Sequence, residues 1–153
     1  MDALINNQNR IPDEIIIVNG GGDNDCQKSL EKWKSIFSNL IIINNKNINL
    51  ANSRNMGLPY CKGNLILQTD DDARPLPDWV EKMEEAHARY PVAGVIGGDV
   101  IDAGGKSYLS LIADTATFPH HFSTCEVRSV PGVNSSYKKE VINQVGKYDE
   151  TLF

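Results

Sequence analysis

Cysteine is scarce in this chain, and its spacing excludes two kinds of protein. The 153 residues contain three cysteines, Cys26, Cys61 and Cys125, which lie far apart and form no C-x-x-C pair. An odd number without that spacing is atypical of a disulfide scaffold and of a structural zinc site. We therefore expect reduced thiols and a cytoplasmic protein.

Long hydrophobic runs and an excess of positive charge are also missing. The longest apolar runs, such as "EIIIV" and "NLIIIN", are far too short to span a bilayer, and no basic and apolar leader opens the sequence. A net charge of -5 disfavours a general nucleic-acid or anionic-membrane surface, so no nucleic-acid partner is expected. The sequence does contain 41% hydrophobic residues, which suit one globular domain.

Short β-branched runs alternate with segments of helical period. Leu30, Trp33 and Phe37 share one face of a predicted helix, and Asn49 is placed to cap the next one. Such alternation indicates an α/β fold with a mostly parallel sheet and helices on both faces. The predicted strands are 14–18, 40–43, 64–69, 92–102 and 126–130, and the predicted helices are 26–37, 49–61, 77–90 and 138–145.

Three consecutive carboxylates, Asp70, Asp71 and Asp72, follow the third predicted strand. Like charges this close repel one another, which favours a positive partner. Ligands of open α/β sheets bind beyond the carboxyl ends of the strands, and carboxylates there suit a hard divalent cation, Mg²⁺ or Mn²⁺. Taken alone, the triplet fits a solvated acidic turn or a charge cluster at a helix N-terminus equally well.

Three blocks of the sequence are informative together: "PDEIIIVNGGGDND", "NLANSRNMGLPYCKGNLILQTDDDARPLPDW" and "VPGVNSSYKKEVINQVGKYDETLF". In this order and spacing they resemble successive blocks of family 2 glycosyltransferases with the GT-A fold. The resemblance covers nearly the whole chain. It implies that residues 1–153 form a single, partial GT-A domain, with a mixed, mostly parallel sheet and flanking helices.

The resemblance also implies roles for individual residues. "DDD" matches the family's D-x-D region, whose last carboxylate, here Asp72, binds the metal, with Asp70 as a second ligand. Asp70 and Asp71 would lie near the ribose and diphosphate of the donor. The same comparison implies Arg54, Gly132 and Asn134 on the donor side, and Asp149 and Glu150 on the acceptor side. Each of these residues, taken alone, also fits a surface side chain or a charged turn.

The chain departs from the family pattern after the first predicted strand. The family usually has an aspartate there that accepts a hydrogen bond from the base, whereas this chain reads "VNGGG", with Asn19 in its place. An amide oxygen can accept the same bond without the charge. Asn19 is therefore kept as a donor-binding candidate, and the identity of the nucleotide stays open.

The ends of the chain depart from the pattern as well. The family's first, central strand has no counterpart before residue 14, and the Glu-Asp motif that carries the general base is expected beyond Phe153. The loss of a central strand leaves unpaired backbone groups along its neighbours. We expect either a rearrangement that brings strands 14–18 and 64–69 together, or self-association through exposed strand edges.

The implied reaction is transfer of a sugar, with inversion, from a nucleotide-sugar to a hydroxyl of a glycan or lipid-linked acceptor. The resemblance is also consistent with a location of the full-length enzyme at the inner face of a membrane. Two alternatives remain: a catalytically inactive remnant that binds a nucleotide or a partner, and a haloacid dehalogenase-type phosphatase, which "DDDARP" disfavours. His120 and His121 fit a polar loop better than a third metal ligand.

Overall fold

Helices and strands alternate along the computed structural model, which describes residues 1–46, 49–101 and 123–151. The elements in chain order are α1 (Asp2–Ile5), β1 (Ile15–Asn19), α2 (Asn24–Ile36), β2 (Leu40–Asn44), α3 (Leu50–Gly57), a 3₁₀ turn (Leu58–Tyr60), β3 (Leu65–Gln68), α4 (Trp79–Arg89), β4 (Val95–Gly97), β5 (Ser135–Lys138) and α5 (Lys139–Val145).

β1 and β2 form a parallel pair, as their β-branched side chains suit a buried pleated surface. The register runs from Ile15 opposite Leu40 to Asn19 opposite Asn44. Parallel neighbours need a crossover, which α2 supplies. Both strands therefore end at the same edge, where two asparagines replace the apolar side chains.

The core of this first sheet lies on the face that α1 and α2 cover. Ile5, Ile15 and Leu40 form its buried cluster, and Trp33 and Phe37 of the α2 region pack against them. Two of the three residues that gave α2 its predicted apolar face thus contact the cluster. Leu40 is the most enclosed of the core side chains in the described ranges, with 2% of its surface exposed.

Helix α3 covers the opposite face of β1. Ile16 and Val18 point there because side chains alternate along a strand. The position that a Cβ atom of Gly57 would take lies 3.6 and 3.4 Å from the methyl groups of these two residues. This close packing fixes α3, and with it Arg54, relative to the end of β1.

β3, β5 and β4 form a second sheet in that order, and both pairings are antiparallel. β5 lies in the middle, and its Ser135 and Ser136 are fully buried. Ser135 is opposite both Gln68 and Gly97. The ends of β3 and β4 and the start of β5 therefore share one edge.

His87 of α4 is a buried polar residue on one face of this sheet. Its Nε2 lies 2.9 Å from the Ser136 hydroxyl, which lies 3.2 Å from the Ile96 carbonyl oxygen. The tautomer of the ring decides which of the two groups donates in the contact between His87 and Ser136. Burial first, and then the charge of Lys138, lower the pKa of His87. The ring is therefore neutral at pH 7.

The α/β fold class is confirmed. The predicted strands at 14–18, 40–43 and 64–69 correspond to β1, β2 and β3. Asn49 caps α3 as expected, since its side chain accepts from the Asn52 backbone N–H at 2.9 Å. The parallel pairing holds for β1 and β2, whereas the second sheet is antiparallel because β5 runs against both neighbours.

Two predicted strands changed. The strand predicted at 92–102 is Val95–Gly97, and the one predicted at 126–130 was wrong, since the strand of that region is Ser135–Lys138. The polar composition of β5 concealed it, because its serines are buried through hydrogen bonds instead of apolar character. The histidines His120 and His121 lie outside the described residues.

β1 and β3 do not pair with each other. In the ranges given above, β1 is bonded to β2 alone and β3 to β5 alone. The Glu14 side chain accepts from the backbone N–H groups of Lys62 and Gly63, so the two strands start close together. Each strand keeps one edge that no described strand covers, and self-association through these edges remains a prediction.

None of the helices within these ranges is both long enough and apolar enough to cross a membrane.

Candidate functional site

The predicted donor-side residues lie near the ends of strands in both sheets. Asn19 is the last residue of β1, and Asp70 follows β3 after one intervening residue. Gly132 and Asn134 stand just before β5, whose start shares an edge with the end of β3. Arg54 reaches the same region from α3.

The acidic triplet forms an exposed turn directly after β3. The Ala73 backbone N–H donates to the Asp70 carbonyl at 3.3 Å and closes the turn. Within the described part of the chain, Asp70, Asp71 and Asp72 have no hydrogen-bond or ion-pair partner for their carboxylates. No three His, Cys, Asp or Glu side chains there, the triplet included, come together so that they could hold a metal ion jointly. Oxygen donors not engaged elsewhere fit Mg²⁺ or Mn²⁺, which bind through one or two carboxylates and retain positions for phosphate oxygens.

Arg54 lies against Gly132. The position that a Cβ atom of residue 132 would take is 2.7 Å from Arg54 Nη2 and 3.4 Å from Gln68 Nε2. The same Nε2 donates to the Gly132 carbonyl at 2.7 Å. Glycine at position 132 leaves space for the Arg54 guanidinium, because the side chain of a larger residue would displace the guanidinium. Two predicted donor-binding residues thus meet beside the strand that leads into the acidic turn.

Tyr148 completes this cluster, and sequence reasoning missed it. Its ring centroid lies 5.4 Å from Arg54 Cζ, within cation–π range, and its hydroxyl donates to Gln68 Oε1 at 3.0 Å. Burial, followed by the neighbouring Tyr137 hydroxyl, raises the pKa of Tyr148, while the Arg54 charge acts in the opposite direction. The sequence features that could have indicated Tyr148 were its aromatic side chain next to Asp149 and a glutamine, Gln68, at the end of an apolar strand.

Asn134 is engaged by its surroundings. Trp79 Nε1 donates to its Oδ1 at 2.8 Å, and its Nδ2 donates to the Asp99 carbonyl at 2.7 Å. These bonds join the start of α4 to the loop after β4. They fix the backbone before β5, which is the segment that contains Gly132.

Asn19 uses its amide oxygen to shape the glycine-rich turn after β1. Oδ1 accepts from the Gly21 N–H at 3.3 Å and from the Gly22 N–H at 3.0 Å. Backbone amides only donate, so the orientation of the side-chain amide is fixed. Its Nδ2 lies 3.5 Å from Asn44 Oδ1, at the limit of a hydrogen bond. The group of Asn19 that remains for a ligand is thus a donor.

The two acceptor-side candidates have different partners. Glu150 accepts from Asn55 at 2.7 Å and from Asn52 at 2.8 Å, and these two bonds, in that order, lower its pKa. Asp149 accepts from the hydroxyl and the backbone N–H of Thr151, which lower its pKa likewise. Both carboxylates are therefore ionised at pH 7. The spacing of Asn52 and Asn55 on one helical face was the sequence signal for the Glu150 contact.

Comparison with known proteins gives consistent results. A family model described as Glycosyl transferase family 2 matches residues 2–146. The chain is 28% identical over 147 residues to a glucosyl-dolichyl phosphate glucuronosyltransferase of Haloferax volcanii, a match that covers 90% of this chain and 46% of that relative. It is 25% identical over 144 residues to the amylovoran biosynthesis glycosyltransferase AmsE of Erwinia amylovora, covering 92% of this chain and 54% of that relative.

A solved structure shares the fold. The mannosyltransferase PcManGT from Pyrobaculum calidifontis, in complex with GDP-Man and Mn²⁺, matches with a TM-score of 0.69 at 16% identity, over 94% of this chain and 41% of that one. This likeness concerns the GT-A fold alone. The chain spans about half the length of the curated relatives it matches. The family model covers nearly the whole of the sequence, and on that ground this chain belongs to glycosyl transferase family 2.

Proposed function

We propose that this chain forms the donor-binding part of a GT-A domain that transfers a sugar, with inversion, from a nucleotide-sugar to an acceptor hydroxyl. The observation that carries the proposal is the arrangement at the end of β3. There, three carboxylates without described partners follow Gln68, which touches Gly132, which in turn lies against the Arg54 guanidinium. A cation and free carboxylates at the two ends of this chain of contacts suit a metal-bound diphosphate.

Asp72, with Asp70, would hold Mg²⁺ or Mn²⁺. The cation supplies Lewis-acid stabilisation of the charge that develops on the leaving nucleoside diphosphate. Asp71 would lie beside the donor ribose. Arg54, a permanent cation that can form two parallel hydrogen bonds, would bind a phosphate oxygen of the donor.

On the acceptor side we propose Asp149 and Glu150 as residues near the incoming sugar. Both oxygens of Glu150 already accept hydrogen bonds from α3. That arrangement suits a residue that orients an acceptor hydroxyl, and we assign no general base among the described residues. The Haloferax relative is named for a dolichyl phosphate sugar, which supports a lipid-linked or glycan acceptor for this chain as well.

Metal-dependent nucleotide binding tests the proposal. We expect UDP or GDP to bind to the chain in the presence of Mn²⁺, and Asp72→Asn to weaken that binding about tenfold or more, because an amide replaces a charged ligand. Titration calorimetry with and without Mn²⁺ measures the effect. The matched control is Asp25→Asn, which removes the same charge from the exposed side of α2.

Two outcomes contradict parts of this proposal. Unchanged Mn²⁺-dependent affinity in Asp72→Asn would remove Asp72 from the ligand set. Nucleotide binding without any release of nucleoside diphosphate from sugar donors would instead favour the binding remnant over the transferase.

A further inference from the structure

The segment around Tyr148 contacts the proposed donor site through side chains that have no assigned role. We infer that Tyr148 is a positioning residue for donor binding, which holds the Arg54 guanidinium with its ring and the Gly132 backbone through Gln68. The inference rests on the proposed function, because it concerns how that site is kept in shape. No contact of Tyr148 itself with the substrate is required.

The Tyr148 ring provides the first contact. Arg54 Cζ lies 5.4 Å from the ring centroid, so the guanidinium has an aromatic surface on one side. On another side its Nη2 reaches the open position beside the Gly132 Cα. An arginine side chain has many rotamers, and contacts from two directions restrict them before a ligand arrives.

The Tyr148 hydroxyl provides the second contact. It donates to Gln68 Oε1 at 3.0 Å, and Gln68 Nε2 donates onward to the Gly132 carbonyl at 2.7 Å. The carbonyl only accepts, so the Gln68 amide has one possible orientation and presents its oxygen to Tyr148. A tyrosine with a raised pKa keeps its proton at neutral pH, and the hydroxyl therefore remains a donor.

The backbone of Tyr148 is held by the same helix that carries Arg54. The Tyr148 N–H donates to Asn55 Oδ1 at 2.9 Å, and Asn55 Nδ2 donates to the Tyr148 carbonyl at 2.9 Å. Asn55 follows Arg54 directly in α3. The Tyr148 ring and the Arg54 guanidinium are thus both anchored to α3, as a positioning contact requires.

Two substitutions separate the contacts. Tyr148→Phe retains the ring and loses the hydrogen bond, and we expect the Mn²⁺-dependent affinity for UDP or GDP to fall about 2- to 10-fold, the range of one such bond. Tyr148→Leu loses the ring as well, and we expect a further loss of about 2- to 30-fold, the range of a cation–π contact. Tyr60→Phe, at an exposed tyrosine outside the cluster, is the control and should leave affinity unchanged.

The decisive measurement is the same substitution in an Arg54→Met background. If the ring acts through Arg54, the additional loss from Tyr148→Leu over Tyr148→Phe disappears there, a coupling that general destabilisation does not produce. Thermal unfolding of each variant, and the conservative Tyr148→Phe in particular, checks that affinities are compared between folded proteins. An undiminished ring effect without Arg54, or full affinity in both Tyr148 variants, would overturn the inference.

Failure of the proposed function gives a different result. Full nucleotide affinity in Arg54→Met would exclude Arg54 from the donor site and end the inference with it. Weak binding in Arg54→Met together with normal binding in both Tyr148 variants would leave the donor site intact and reject only the role of Tyr148.

Discussion

Replacing Asn19 with aspartate exchanges a hydrogen-bond donor for a charged acceptor at almost constant volume. In the structure, Asn19 Oδ1 accepts from the amides of Gly21 and Gly22, and Nδ2 is directed to Asn44 at 3.5 Å. Asn19→Asp keeps both bonds to the glycine turn and converts Nδ2 into an oxygen. The Asn44 amide can rotate to donate to it.

The expected effect on stability is small. Bonds to a charged acceptor contribute about 1.5–3 kcal/mol, compared with about 0.5–1.5 kcal/mol for neutral pairs, and half-exposure reduces the difference. We expect the free energy of unfolding to stay the same or rise by about 1 kcal/mol. Any change in nucleotide binding will therefore come from the site and not from loss of the fold.

The effect on nucleotide preference should be large if Asn19 contacts the base. An amide Nδ2 donates to a base carbonyl, whereas a carboxylate at the same place repels it and instead accepts from a base N–H. One bond made or lost in this way is worth about 1–3 kcal/mol, or about 5- to 150-fold in the ratio of dissociation constants. We expect the order of UDP, GDP and dTDP to differ between wild type and Asn19→Asp.

Titration calorimetry of the three nucleotides with Mn²⁺ measures that ratio directly. Asn143→Asp, on an exposed position of α5, adds the same charge away from the site and serves as the control. If the relative affinities of the three nucleotides are the same in wild type and Asn19→Asp, Asn19 does not touch the base, and its role is limited to shaping the glycine turn.

Two further predictions concern the scaffold. Leu40 is 2% exposed in the core of the first sheet, so Leu40→Ala should lower the free energy of unfolding by about 2–5 kcal/mol and Tm by about 5–15 °C. Ile36→Ala, at a 53% exposed position, should change Tm little, and equal Tm values in the two variants would reject the core assignment. The pKa of His87 is lowered in the folded protein, so below pH 6.5 the unfolded chain binds a proton at this residue more readily than the folded protein does. The free energy of unfolding should therefore fall as pH drops below 6.5. His87→Gln should lessen that fall in thermal unfolding between pH 8 and 5, and identical pH profiles in the two proteins would contradict the reasoning.

The elements that local sequence determines were predictable. β1 and β2 are β-branched runs, and their assignment as strands follows from composition, although only Ile15 and Leu40 in them are buried and the other residues are half-buried or, at Asn44, exposed. Asn49 caps α3 because its side chain meets a backbone amide three residues later, which needs no distant partner. The order of strands and helices then located the acidic turn at the end of β3.

The elements that distant contacts determine were not predictable. Ser135 and Ser136 read as loop residues, and only their neighbours in β3 and β4 make them the centre of a sheet. Tyr148 and Gln68 are far apart in sequence, and no pattern in the residues around them predicts the hydrogen bond between their side chains. Asn19 ends β1, next to the predicted strand, and its role in donor binding stays a prediction; the use of its oxygen depends on the turn that the following glycines adopt.

The attachment of the segment around Glu150 to α3 has a consequence for dynamics. Asn49, Asn52 and Asn55 stand on one side of the helix and bond to the backbone or carboxylate of Tyr148 and Glu150. Water can replace each of these bonds, and among the described residues 147–151 all but Tyr148 are already exposed. We therefore expect the segment to open at a lower free energy than the core unfolds, so that its backbone amides exchange before those of β1 and β2.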